Sequence, residues 1–138
     1  MKKIHLEQIK EEAISAYPAE CCGLLIGEKN GNMHTLKRIV PSINPLRDLD
    51  NNQFEIDPQT RIDVERELRH TTEHLIGHFH SHPDRPATPS KTDLNMAYEP
   101  ELIWLIITVL NGKAEDMNAY QLNAYTQETL QIKCQIVA

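Results

Sequence analysis

The chain has no excess of positive charge: 14 Lys and Arg stand against 20 Asp and Glu, for a formal net charge of -6. Proteins that grip nucleic-acid backbones normally carry a basic surface, and no Lys/Arg cluster stands out, so a general affinity for nucleic acid is argued against. A disulfide framework is missing too. The three cysteines are an odd count, and two of them, Cys21 and Cys22, are adjacent and ill placed to pair. The opening MKKIHLEQIKEEA has no apolar core behind its lysines, which argues against a signal peptide. The longest apolar run, residues 102–110, is too short to span a bilayer as a helix. There is no repeat and no low-complexity tract. A reducing cytoplasm, with neither nucleic acid nor membrane as partner, is the expectation.

What is present is ordinary in bulk. A chain of 138 residues, 40% hydrophobic and 25% charged, has the size and composition of one globular domain, residues 1–138. Leu6, Ile9, Ala13, Ile14 and Tyr17 recur at near-helical spacing and predict an amphipathic helix ending before Pro18. GLLIGE at 23–28 reads as a buried strand, KNGN as a turn, and 33–40 as a second strand. Residues 41–52 have no period and predict a long surface loop, followed by a short strand at 53–56. Asp57 and Pro58 open a predicted helix reaching about Glu73. A strand over 75–80 runs into a histidine cluster, Ser90 opens another helix, and 102–110 has the look of a strand covered on both faces. Asn111-Gly112 is a hairpin signal, with strands expected near 117–125 and 130–137. The expected fold class is α/β (α+β), a mixed central sheet flanked by helices.

The informative segment is His80-Ser81-His82-Pro83, followed by Ser90 and Asp93. Side chains alternate faces along a strand, so His80 and His82 point to the same side. Hydrolytic zinc sites commonly use three protein ligands and leave one position for water. His80, His82 and Asp93 form such a set. His78 shares the face but lies one step deeper; alternation alone does not choose between the pairs 78/80 and 80/82, and the proximity of Asp93 favours the second. His5, His34, His70 and His74 read as surface or core residues.

Other readings compete. Ser90-x-x-Asp93 is also close to a capping box, in which hydroxyl and carboxylate close the first helical turn; a helix start is at the same time a rigid place to hold a carboxylate ligand. Glu20 precedes a buried strand, where a charge is less casual than at the surface, and a zinc-activated water needs a base. Cys21 and Cys22 read as core residues rather than nucleophiles, since no separate histidine partner is evident. None of the cysteines has the Pro-Cys-x-x-Cys spacing of zinc deaminases.

Together, Glu20, His80-Ser81-His82-Pro83, Ser90 and Asp93 resemble the signature of the JAMM (MPN-plus) zinc metalloprotease family, and PAECCGLLIG at 18–27 is similar to the glutamate strand of its small stand-alone bacterial members. The resemblance runs from about residue 4 to 110 and implies a cytidine-deaminase-like architecture. It implies zinc on His80, His82 and Asp93 with water in the fourth position. It makes Glu20 the general acid/base and Ser90 the donor to the oxyanion of a tetrahedral intermediate. It implies hydrolysis of a peptide or isopeptide bond at the C-terminal Gly-Gly tail of a ubiquitin-like or sulfur-carrier protein, the tail pairing with residues 41–56 by strand addition. The alternative from another class is a non-catalytic MPN-type interaction module, which typically lacks the metal set that is complete here.

Overall fold

The structure is a computed structural model that describes residues 1–95, 99–123 and 125–138. In chain order its elements are α1 (Lys3–Ala16), β1 (Cys22–Asn30), β2 (Met33–Ser42), α2 (Pro58–Leu68), β3 (His74–Pro83), α3 (Lys91–Asn95), β4 (Ile103–Leu110), β5 (Lys113–Leu122) and β6 (Thr129–Ile132). The six strands form one mixed sheet in the order β2-β1-β3-β4-β5-β6. Neighbours are antiparallel except β3 and β4, which run parallel. A parallel pair cannot be joined by a tight turn, so residues 84–102 make a crossover, and that crossover carries Ser90 and Asp93.

Alternation divides the core. On one face Leu25, Phe79, Ile103, Leu105 and Ile107 pack with Ile9 and Ala13 of α1. On the other, Leu24 and Ile26 meet Val64 of α2, while Trp104, Ile106 and Tyr120 pack with Ala87 of the crossover. A bulge in β3 sets this parity. Leu25 pairs with Gly77 but Ile26 with Leu75, leaving Ile76 as the extra residue. Leu75 therefore joins the α2 face and Phe79 the α1 face, and the histidines alternating with Phe79 fall on the α2 side. Asn111 and Gly112, with φ of 50° and 80°, make the two-residue β4–β5 hairpin that positive φ at both positions permits.

Several expectations change at element ends. The stripe that α1 buries is His5, Ile9 and Ala13, whereas Ile14 is half exposed. Residues 53–56 form no strand. The Asn44 side chain takes up the carbonyl of Gln53 and the amide of Glu55, groups a ladder would need. Helix α2 stops at Leu68, well short of Glu73, because His70 takes a left-handed φ of 65° and the Thr71 hydroxyl donates to the Leu68 carbonyl. Asp57 precedes α2 without capping it; its carboxylate accepts from the Thr60 hydroxyl instead. β3 continues past His80 to Pro83. The final strand ends at Ile132, and beyond it the tail meets the N-terminus through a Lys2–Val137 bridge. Of the strand expected over 117–125, Ala124 lies outside the described residues. Among those residues no helix is long and apolar enough to cross a membrane.

Candidate metal centre

β3 and β1 bring the first groups together. Cys22 pairs with His80, and just before β1 Ser81 fixes the incoming chain twice. Its Oγ accepts the Cys21 amide at 2.8 Å, and its own amide donates to the Cys21 carbonyl at 3.2 Å. Glu20, one residue earlier, is thereby held beside His82 and is 1% exposed. Asn44 pins it from the other side, its Nδ2 donating to the Glu20 carbonyl at 3.1 Å.

Three donor atoms converge on one point. His80 Nε2 lies 3.1 Å from His82 Nε2 and 3.2 Å from Asp93 Oδ2, and His82 Nε2 lies 3.0 Å from the same oxygen. His82 Nδ1 sits 2.7 Å from the Pro86 carbonyl, which can only accept, so the ring proton is on Nδ1 and the Nε2 lone pair faces Asp93. A lone pair and a carboxylate oxygen at 3.0 Å repel unless a cation lies between them. The edges of a tetrahedral zinc site with bonds of about 2.0–2.1 Å would be about 3.3 Å, so the observed triangle needs only a slight expansion to hold the ion. The residues fit.

Asp93 is held by a capping box at the start of α3. The Ser90 amide donates to Asp93 Oδ2 at 2.9 Å and the Asp93 amide to Ser90 Oγ at 3.0 Å. The box closes the turn, and the same Oδ2 is aimed at the histidines. Because Ser90 Oγ accepts from an amide, its hydroxyl proton is free to donate elsewhere. Burial opposes charge on Asp93, yet His80 and the Ser90 amide hold its carboxyl well below the usual carboxylate range.

Glu20 stands one step back. Its Oε1 is 3.8 Å from His82 Nε2 and 2.8 Å from a guanidinium nitrogen of Arg85, and Oε2 has no hydrogen-bond partner. Burial pushes its carboxyl up to about 8, with Arg85 acting in the opposite direction. Glu20, His80 and His82 also offer ligand atoms within 4.8 Å of one another. Asp93 lies nearer both imidazoles, so it completes the tighter triangle and leaves the Glu20 carboxylate at its side. Cys21 and Cys22 are buried, with thiols pushed up to about 12 chiefly by that burial, which suits them to packing rather than to nucleophilic attack.

Around the donors, Phe54 stacks on His80 at 4.2 Å, and a cavity of about 350 Å³ opens between Phe54, His78 and Trp104. Burial holds His78 neutral, lowering it to about 3, with the neighbouring His80 adding to the effect. A larger cavity of about 680 Å³ lies on the α1 face, lined mainly by apolar side chains such as Leu25, Ile76 and Leu105, and touches none of the donors. Arg85, Asn44, Phe54 and Ser81 are the participants that sequence reasoning missed. Ser81 and Arg85 sit inside or beside the histidine motif, but nothing local tells what they touch; Asn44 lies in the aperiodic segment 41–52 and Phe54 in a stretch that reads only as a short strand.

The chain is similar to known proteins along most of its length. The family described as prokaryotic homologs of the JAB domain matches residues 2–123. A desampylase of Haloferax volcanii is 28% identical over 101 residues, 73% of this chain and 70% of that protein. A CysO-cysteine peptidase of Mycobacterium tuberculosis is 25% identical over 118 residues, 84% of this chain and 78% of that protein. A Desulfitobacterium hafniense protein solved in solution superposes with a TM-score of 0.84 at 28% identity, covering 99% of this chain and 93% of the other.

Proposed function

The chain belongs to the family of prokaryotic homologs of the JAB domain, the JAMM (MPN-plus) family, and from that membership we propose that residues 1–138 form one zinc-dependent peptidase domain. Its substrate is a ubiquitin-like or sulfur-carrier protein, cut after a C-terminal Gly-Gly tail. Relatives named desampylase and CysO-cysteine peptidase support this class of substrate. The observation that carries the reading is the triangle of two imidazole nitrogens and one carboxylate oxygen, mutually 3.0–3.2 Å apart and buried.

His80, His82 and Asp93 would hold the zinc, which when bound supplies Lewis acidity toward a water and toward the scissile carbonyl. Glu20 takes the proton released by the attacking water and returns it to the leaving nitrogen, as its buried, half-partnered carboxylate suits it to do. The Ser90 hydroxyl donates to the oxygen that gains charge in the tetrahedral intermediate. Phe54 covers His80 and keeps solvent off the donors. The tail reaches the donors past residues 41–56, with glycine admitted because it has no side chain to exclude; strand addition along that whole segment is closed, because Asn44 occupies groups of Gln53 and Glu55 that a ladder would need. A reducing cytoplasm suits three free cysteines.

The test is direct. Purified protein should carry about one zinc per chain and cleave a sulfur-carrier protein extended beyond Gly-Gly, with activity abolished by a chelator and restored by zinc. Less than half an equivalent of zinc after reconstitution, or cleavage indifferent to the chelator, overturns the reading.

A further inference from the structure

Arg85 joins two parts of the centre that are distant in sequence. One nitrogen of its guanidinium donates to Glu20 Oε1 at 2.8 Å and to the Asn52 carbonyl at 3.2 Å. The base of this side chain is fixed. The buried Thr108 hydroxyl of β4 donates to the Arg85 carbonyl at 2.9 Å, and next to it Asp84 is tied to the β4–β5 hairpin through Val109 and Asn111. Arg85 therefore reaches from a rigid turn over to Glu20 and on to the loop between β2 and α2. We propose that Arg85 is a positioning residue that locks the Glu20 carboxylate and the 43–57 loop into one arrangement, so that loop seating and acid/base placement are set together. This rests on the peptidase reading above.

Without Arg85, neither carboxylate oxygen of Glu20 would have a hydrogen-bond donor, since Oε2 already has none. Asn44 does not substitute for it. The Asn44 carboxamide holds only the Glu20 carbonyl, together with Gln53, Leu46 and Glu55 of the loop, and leaves the carboxylate free to turn about its side-chain bonds. A carboxylate that must reach both the attacking water and the leaving nitrogen is sensitive to such freedom, because displacement by about 1 Å can cost up to about a hundredfold in rate. Lysine is a partial replacement, since a single ammonium on a flexible stem lacks the planar fork of the guanidinium.

The experiment compares R85A and R85K with the wild type, all zinc-loaded, on the extended sulfur-carrier substrate. R85A is expected to lose about tenfold in kcat with zinc content unchanged, and R85K to recover part of the loss. Backbone amides of residues 46–53 should also exchange faster in R85A, a readout that needs no turnover. Unchanged kcat, a loss confined to KM, loss of zinc, or exchange at 46–53 identical to wild type would each overturn the assignment. Should R85A fail to fold, R85K and R85Q give the same comparison. Failure of the peptidase reading is seen separately, as a wild-type protein that cuts nothing while the exchange difference persists.

Discussion

One hydrogen bond from His82 Nδ1 to the Pro86 carbonyl sets the tautomer of the ring, and with it the direction of the lone pair that meets Asp93. Residue-level predictions follow from how each group is held. In E20Q the donor triangle is untouched, so zinc should remain while turnover falls by at least about a hundredfold, the usual contribution of a general acid/base. Metal content and single-turnover rates on one preparation check this, and surviving turnover would remove Glu20 from the mechanism. D93A deletes a donor and one side of the capping box. It should lose zinc and melt at lower temperature by calorimetry, and unchanged occupancy would take Asp93 out of the ligand set. Two histidines at alternate positions with an aspartate at a helix start were legible in the sequence, because each element presents its side chains at a fixed period. Arg85 and Asn44 were not. Their partners lie 65, 33, 24 and 9 residues away, separations that no local pattern encodes.

At the scale of elements, period and turn chemistry made β1, β2, β4 and the hairpin at 111–112 readable. The absent strand at 53–56 and the early end of α2 were not, because side chains from elsewhere or a left-handed residue overrode the local preference. Helix α1 buries His5 with its Nδ1 unpartnered, and burial lowers its pKa, assisted by the positive charges of Lys2 and the N-terminus, while a hydrogen bond with the Lys37 backbone opposes. The unfolded chain then takes up this proton first as the pH drops below about 6.5, so His5 contributes stability above that value that is lost on acidification. From about pH 7.5 to about pH 5, H5L should lose less stability than the wild type in urea unfolding. Equal losses would mean that His5 is protonated without cost. In β3, a Cβ at Gly77 would meet the Ile103 carbonyl oxygen at 2.2 Å, where β4 joins in parallel. G77A should therefore destabilise by about 2–3 kcal/mol, measured by the denaturation midpoint, and a neutral result would show that the strands can separate freely there.

At the scale of the whole molecule, the architecture was anticipated as a mixed sheet with helices on it, and the strand order shows why the centre sits where it does. A single parallel pair in the middle of the sheet sends the chain across one face between β3 and β4, and the donors come from the end of β3 and from that passage itself. Zinc binding to the folded state alone should raise stability by about 2.7 kcal/mol at a hundredfold excess over its dissociation constant, shifting the melting temperature by several degrees. A melting curve indifferent to chelator would contradict this.

His82 and Asp93 are 11 residues apart, one near the end of β3 and the other within the crossover, so a cation shared by them would work as a removable cross-link that closes a small ring. Closing a ring of such size covalently reduces the freedom of the unfolded chain by about 3 kcal/mol, and a coordinate bond is the reversible counterpart. Stripping the ion should then slacken residues 84–95 first while the strands on either side stay intact. The protein would be a molecule whose clasp can be undone without dismantling the frame to which it is fastened.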